Sequence, residues 1–222
     1  MSKLALTTWI VIPAHNEEKY ISTVLNKVKK YTKNIIVVDD GSEDSTALKA
    51  REISKHVLHH KVNLGKGAAL KTGCEYAFNT MHAKAVIVMD SDDQHDPQEL
   101  PLLEKALAIH EIAFGVRSFI GMPKTRAFGN SALSLLVQLL FGTYIPDVLS
   151  GYKAFTKQVY QVLRWESSAY GVELEIAVRI AKAKQAYTIV PIKTIYHDFD
   201  RGMTLLDALV IIGQVISWRV SL

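Results

Sequence analysis

The stretch VIVMDSDDQHDPQE, Val86 to Glu99, decides how the rest of the chain is read. An apolar run halts at Asp90, and three more aspartates follow at 92, 93 and 96. Carboxylates this close repel one another and raise each other's pKa, so some positive charge must balance them. The apolar part is short and unbroken, which marks a strand buried on both faces of a parallel sheet.

The same pattern occurs twice upstream. TTWIVIPAHNEE (7–18) and NIIVVDDGSEDST (34–46) each run from an apolar strand into polar residues. Helical patterns separate the strands: 16–31, with Asn16 as N-cap and Glu17 and Glu18 in the first turn, then 42–56 and 65–80. VLHHKV (57–62) adds a short third strand, EIAFGVRSF (111–119) a fifth and AYTIVPIKTIYH (186–197) a late one. SALSLLVQLLFGTYIP (131–146) reads as a very apolar helix, and 151–185 as a mixture of strand and helix. Alternation of this kind predicts an α/β domain, a mostly parallel central sheet flanked by helices on both faces. Open parallel sheets bind ligands at the carboxyl ends of their strands. The clusters Pro13–Glu17, Asp39–Ser42 and Asp90–Asp96 all fall on that edge, and three clusters on one rim make a site.

Of the 222 residues 49% are apolar, enough for one large core. A net charge of +4 suits anionic partners such as nucleotides, phosphates or an acidic membrane surface. No Lys/Arg run exceeds two residues, so nucleic acid is not expected as a partner. The lone Cys74 allows no internal disulfide and fits a reducing compartment. No signal-peptide pattern and no run of 18 uncharged apolar residues is present, so no membrane span is expected.

Asp90 and Asp92 flank Ser91 just past a strand, where both carboxylates can turn to one point. A hard divalent cation, Mg²⁺ or Mn²⁺, takes such oxygens together with substrate phosphates. The competing reading is that they cap the next helix, a role that suits Asp96 with Pro97 behind it. Asp39 and Asp40 can accept from ribose hydroxyls or a base N–H, or simply form a strand-to-helix turn capped by Asp44 or Ser42. NLGKGAALKTG (63–73) is not a Walker loop. Its backbone N–H groups and Lys66 can meet an anion, or its glycines serve a tight turn. Arg117 at a strand end can grip phosphate bidentately. Lys124, Arg126 and Arg201 are further phosphate candidates or solvated surface residues. His15, His95 and His197 lie near the rim without the spacing of a zinc triad and read as polar liners.

Six segments together identify a family: VIPAHNEE (11–18), IIVVDDGSEDST (35–46), NLGKGAALKTG (63–73), VIVMDSDDQHDP (86–97), FGVRS (114–118) and DVLSGYKAF (147–155). The chain resembles family 2 glycosyltransferases of the GT-A (nucleotide-diphospho-sugar transferase) fold over residues 9 to 196. Within them it resembles the dolichol-phosphate mannose and glucose synthase branch. The resemblance implies that Pro13, His15 and Glu17 line the nucleotide pocket, with His15 where Tyr is usual, and that Val38 and Asp40 contact base and ribose. It implies that Asp90, Ser91 and Asp92 hold Mg²⁺ or Mn²⁺ against the diphosphate, with Gln94 beside them. Arg117 then meets donor or acceptor phosphate, and Asp147, Ser150 and Gly151 lie near sugar and acceptor. Arg201 and Gly202 match the start of an acceptor-phosphate pattern, but no Ser-Lys follows.

The implied reaction is an inverting transfer of a hexose, mannose favoured, from GDP-mannose or UDP-glucose to a polyprenyl phosphate. A glycan-extending transferase would instead need a general base, for which Asp147 is the candidate. The non-enzyme alternative is a silent nucleotide-sugar-binding domain, against which intact Asp40, Asp90, Asp92 and Arg117 argue. Residues 1–200 are expected to form the catalytic domain. The tail 201–222 is apolar at helical spacing; it touches the cytoplasmic face of a membrane, or packs as a core or homodimer helix.

Overall fold

The computed structural model describes residues 7–118, 122–168, 171–193, 195 and 212–219. Seven strands form one sheet: β1 (Thr8–Ala14), β2 (Ile35–Asp39), β3 (His56–His59), β4 (Ala85–Val88), β5 (Ile112–Arg117), β6 (Lys153–Thr156) and β7 (Thr188–Ile192). Their order across the sheet is β3-β2-β1-β4-β6-β5-β7. Every neighbouring pair is parallel except the two that β6 makes, with β4 and with β5. The mostly parallel sheet expected from the sequence is therefore present, with one reversed strand in its interior.

Alternation along the strands divides the core in two. Trp9, Val11, Ile36 and Val38 face the helices α3 (Lys66–Glu75), α5 (Lys124–Phe141), α6 (Lys157–Leu163) and α7 (Val172–Lys182). Ile10, Ile12, Ile35 and Val37 face α1 (Ile21–Val28), α2 (Thr46–Ile53) and α4 (Leu100–Ala106). Both faces of the strands are thus dry, which is why their sequence is uniformly apolar rather than alternating.

Two local expectations are corrected. Asn16 does not cap α1: it has a φ of 54°, in the left-handed region, and the helix starts only at Ile21. Its side chain instead accepts from the Glu43 amide, and its own amide donates to Ser42, tying together the loops after β1 and β2. The run 65–80 is α-helical to Glu75 and then closes as a π-helical turn over Tyr76–Thr80.

The helix over 212–219 has one side on the core and one on solvent. Val215 is buried in the core cluster around α7 and Trp218 packs on it, whereas Ile212 and Ile216 point to solvent. No described helix is long and apolar enough to cross a membrane.

Candidate active site

Because β6 runs against its neighbours, its entry end lies on the edge where the other strands exit. That edge collects Asp39 and Asp40 after β2, Asp90 to Asp96 after β4, Arg117 closing β5, and Asp147 to Tyr152 before β6. The polar clusters expected on one rim are on one rim.

The four aspartates after β4 take four different partners. Asp96 accepts from the Gln98 amide at 2.9 Å, with Pro97 at the first position of the following turn, the capping role expected of it. Asp93 receives the Lys27 ammonium at 2.7 Å on both oxygens. Asp90 holds the Lys66 ammonium at 2.6 Å, and its other oxygen leans on Gly151, where any Cβ would sit 2.6 Å from it. Asp92 accepts a backbone hydrogen bond from Gln94 at 3.1 Å. Burial opposes the charge on Asp90, but Lys66, His95 and Lys153 outweigh it and hold that carboxyl low, at about 2. Burial, then the Asp90 charge, pushes the Asp92 carboxyl up to about 6. The pair therefore asks for one more positive charge, next to Asp92.

The residues present fit a divalent cation. Two hard carboxylates two positions apart face one region, and Lys66 already stands in as a cation on one of them. His95 offers no competing nitrogen: its Nδ1 accepts from the Asp90 amide at 3.1 Å, its ring stacks on Tyr152, and burial pulls its pKa down to about 4.

The anions that Lys66 meets belong to the protein itself. Its Nζ bridges Asp90 and Glu173 of α7, at 2.6 and 2.5 Å. The Gly-rich loop is likewise spoken for. Its Leu64 and Gly65 amides donate to Asp40, and the Gly67 and Ala68 amides donate to the Ser168 carbonyl. Gly67 allows that approach, since a Cβ there would lie 1.9 Å from the Ser167 carbonyl oxygen.

The residues expected against base and ribose sit at and just after the end of β2. Asp40 is 2% exposed, and its Oδ1 meets His60 and the Leu64 amide, its Oδ2 the Gly65 amide. Val38 turns its side chain into the core beneath Gly73, as strand alternation dictates. Asp39 is the carboxylate with capacity left: Oδ2 meets His59 at 2.6 Å, and buried Oδ1 has no hydrogen-bond partner among the described residues. His15, exposed, bonds the Asp40 carbonyl oxygen at 2.9 Å. Pro13 is buried at the end of β1, and the Glu17 amide donates to Thr46 Oγ1.

Arg117 and Asp147 form one unit. Asp147 is wholly buried and receives the Arg117 amide, Nε and Nη2 at 2.9, 2.8 and 2.6 Å. A carboxylate held by a guanidinium on both oxygens is an orienting group for that arginine, not a free base. Ser150 is buried, and its carbonyl oxygen accepts from the Lys153 ammonium, which lies over the Phe114 ring. Burial draws Lys153 down to about 8. Asn130 Nδ2 and Ser134 Oγ, one turn apart on α5, are buried without a partner among the described residues, and Asn130 Oδ1 bonds the Leu149 amide. Arg201 and His197 lie outside the described residues.

Reading the sequence missed Glu173, Lys153, Asn130 and Ser134. The signal for Glu173 was there: VELEIAV places two acids among apolar residues on all sides of the helix's first two turns, and a buried acid needs a partner.

Known proteins share this fold. The model of glycosyl transferase family 2 matches residues 9–164. The chain belongs to glycosyl transferase family 2. Similar family 2 chains include UDP-N-acetylglucosamine–dolichyl-phosphate N-acetylglucosaminyltransferase of Methanococcus voltae, 32% identical, with 89% of this chain and 90% of that one covered. Undecaprenyl-phosphate mannosyltransferase of Micrococcus luteus is 26% identical, with 82% and 81% covered. Among solved structures, glucosyl-3-phosphoglycerate synthase of Mycobacterium tuberculosis with Mn²⁺, UDP and phosphoglyceric acid superposes with a TM-score of 0.73 at 22% identity, covering 95% of this chain and 76% of that one. The fold is GT-A. This family 2 member is a glycosyltransferase of the polyprenyl-phosphate sugar synthase-like branch.

Proposed function

We propose that the chain transfers a hexose, mannose favoured, from a nucleoside-diphosphate sugar to a polyprenyl phosphate at a membrane surface, with inversion at the anomeric carbon. The observation that carries this reading is the two-sided character of α5. Its inner side buries the amide of Asn130, whose Oδ1 meets the Leu149 amide, and the hydroxyl of Ser134, with Asn130 Nδ2 and Ser134 Oγ unpartnered among the described residues. Its outer side leaves Phe128, Leu135 and Leu139 exposed at 78, 51 and 74%. A phosphate headgroup suits the first and a lipid surface the second.

The acid–base chemistry agrees. A polyprenyl phosphate is already anionic near neutral pH and needs no strong base, whereas a sugar hydroxyl does. Asp147, the base candidate, is committed to Arg117. The pair orients the guanidinium at the site's mouth, where it offsets phosphate charge. Asp40, just after β2, is the acceptor for base or ribose that the family resemblance implies. Asp90 and Asp92 would hold Mg²⁺ or Mn²⁺, which supplies charge stabilisation of the leaving diphosphate when bound. The named relatives include mannose, glucose and N-acetylglucosamine transferases, so the donor is decided by assay.

The test offers GDP-mannose, UDP-glucose and UDP-N-acetylglucosamine, each radiolabelled with Mn²⁺ present, to the chain with dolichyl or undecaprenyl phosphate in detergent. Label entering the lipid phase from one donor supports the reading and names the sugar. Label entering only a soluble glycan acceptor overturns it, and nucleotide-sugar binding without transfer to any acceptor moves the chain to the silent-domain alternative.

A further inference from the structure

The Lys66 ammonium lies between two carboxylates that come from distant parts of the sequence. Asp90 Oδ1, just after β4, is 2.6 Å away, and Glu173 Oε1, in the first turn of α7, is 2.5 Å away. All three groups are sheltered, with side-chain exposures of 21% for Lys66, 26% for Asp90 and 8% for Glu173. Burying Glu173 on an apolar helix is costly without a partner, and Lys66 is that partner.

This placement conflicts with cation binding unless something moves. Two cations on one carboxylate repel strongly in a sheltered site. An ion that takes Asp90 must therefore release the ammonium, and an ammonium driven into a dry interior alone would resist leaving. Glu173 removes that obstacle. It offers the ammonium a second, already desolvated carboxylate within reach of the first.

We propose that Lys66 is a two-position cation. In the protein alone it neutralises Asp90. When a divalent ion and a nucleoside diphosphate load together, it lets go of Asp90, stays with Glu173 and turns its charge to the diphosphate. Glu173 is then a positioning residue for the exchange, acting through Lys66. The inference rests on the divalent-ion and diphosphate reading above and adds to it a reason why ion and nucleotide bind as a pair.

The experiment titrates Mn²⁺ alone onto the full chain by electron paramagnetic resonance, then UDP and GDP with Mn²⁺ present by calorimetry. It compares wild type, Lys66→Met and Glu173→Gln, each checked for folding by circular dichroism. Lys66→Met is expected to bind Mn²⁺ alone about tenfold tighter and the nucleotide about tenfold weaker. Glu173→Gln, which leaves the ammonium to Asp90, is expected to weaken Mn²⁺ binding by about threefold or more. A pair that only stabilised the fold would move both affinities in the same direction. Unchanged or weaker Mn²⁺ binding in Lys66→Met, or tighter binding in Glu173→Gln, overturns the inference. If Lys66→Met does not fold, Glu173→Gln decides alone. Failure of the wild type to bind either Mn²⁺ or nucleotide overturns the site reading itself, an outcome separate from any difference among variants.

Discussion

At the scale of the residue, adjacent aspartates of similar sequence context do unlike work. Asp40 shapes its own loop, and Asp39 keeps a buried acceptor in reserve. Asp40→Ala leaves the Leu64 amide and His60 without their acceptor, while the Gly65 amide keeps Asn63, and should destabilise the chain by about 1–3 kcal/mol, read by chemical denaturation. Asp39→Ala removes a single side-chain hydrogen bond among the described residues, to His59, and should cost less stability, read by the same denaturation. Asp92→Asn removes a half-buried charge that the fold holds reluctantly, with its pKa raised to about 6. Thermal stability should hold or rise, while Mn²⁺-dependent nucleotide binding falls by at least about a hundredfold. Loss of stability with binding intact would move the ion away from Asp92.

Glu99 belongs to the scale of the element, because it fastens one to another. It opens α4 and accepts the Lys193 amide at 2.6 Å, just beyond β7, while the Ile195 amide donates to the Gln94 carbonyl. Burial pushes the Glu99 carboxyl up from 4.5 to about 7. The folded state therefore holds this proton more tightly than the unfolded chain. Stability from this group is whole below about pH 4.5 and is lost as pH rises through about 7. Glu99→Gln keeps an acceptor oxygen and removes the titration. Its stability relative to wild type should climb across that window, by at most about 3 kcal/mol, and stay level above it. A difference independent of pH would show that Glu99 titrates normally.

Elements were also where the sequence was most and least readable. β1, β2 and β4 are continuous apolar runs that pass abruptly into polar residues, a pattern that helices and loops rarely produce, so strands and rim were both legible. The direction of β6 was not, because KAFT carries no mark of which way it pairs. The start of α1 was misplaced since Asn16, a good N-cap by type, is drawn into the neighbouring loop by Glu43. The identity of the carboxylates on the rim was legible, but their partners were not. Lys66 meets Glu173 across more than a hundred residues, a distance at which local pattern carries no information.

At the scale of the whole molecule, the exposed side chains of α5 and of the helix over 212–219 are the surfaces through which a lipid acceptor would be met. Replacing Phe128, Leu135 and Leu139 together by Ser should leave melting temperature and Mn²⁺-nucleotide affinity nearly unchanged, since all three face solvent. Flotation with liposomes containing anionic lipid and polyprenyl phosphate should fall sharply. Equal flotation of the triple variant and wild type would place membrane contact elsewhere.

The reversed strand has a consequence for synthesis. β5 leaves the ribosome before either of its sheet partners, because β6 is made about forty residues later and β7 later still. The nascent chain can close β1 to β4 early, yet it carries an apolar, unmated strand until β6 slots between β4 and β5. That interval is when a chaperone would find the chain, and a slower or misplaced β6 would be felt as aggregation during translation rather than as weakness of the finished enzyme.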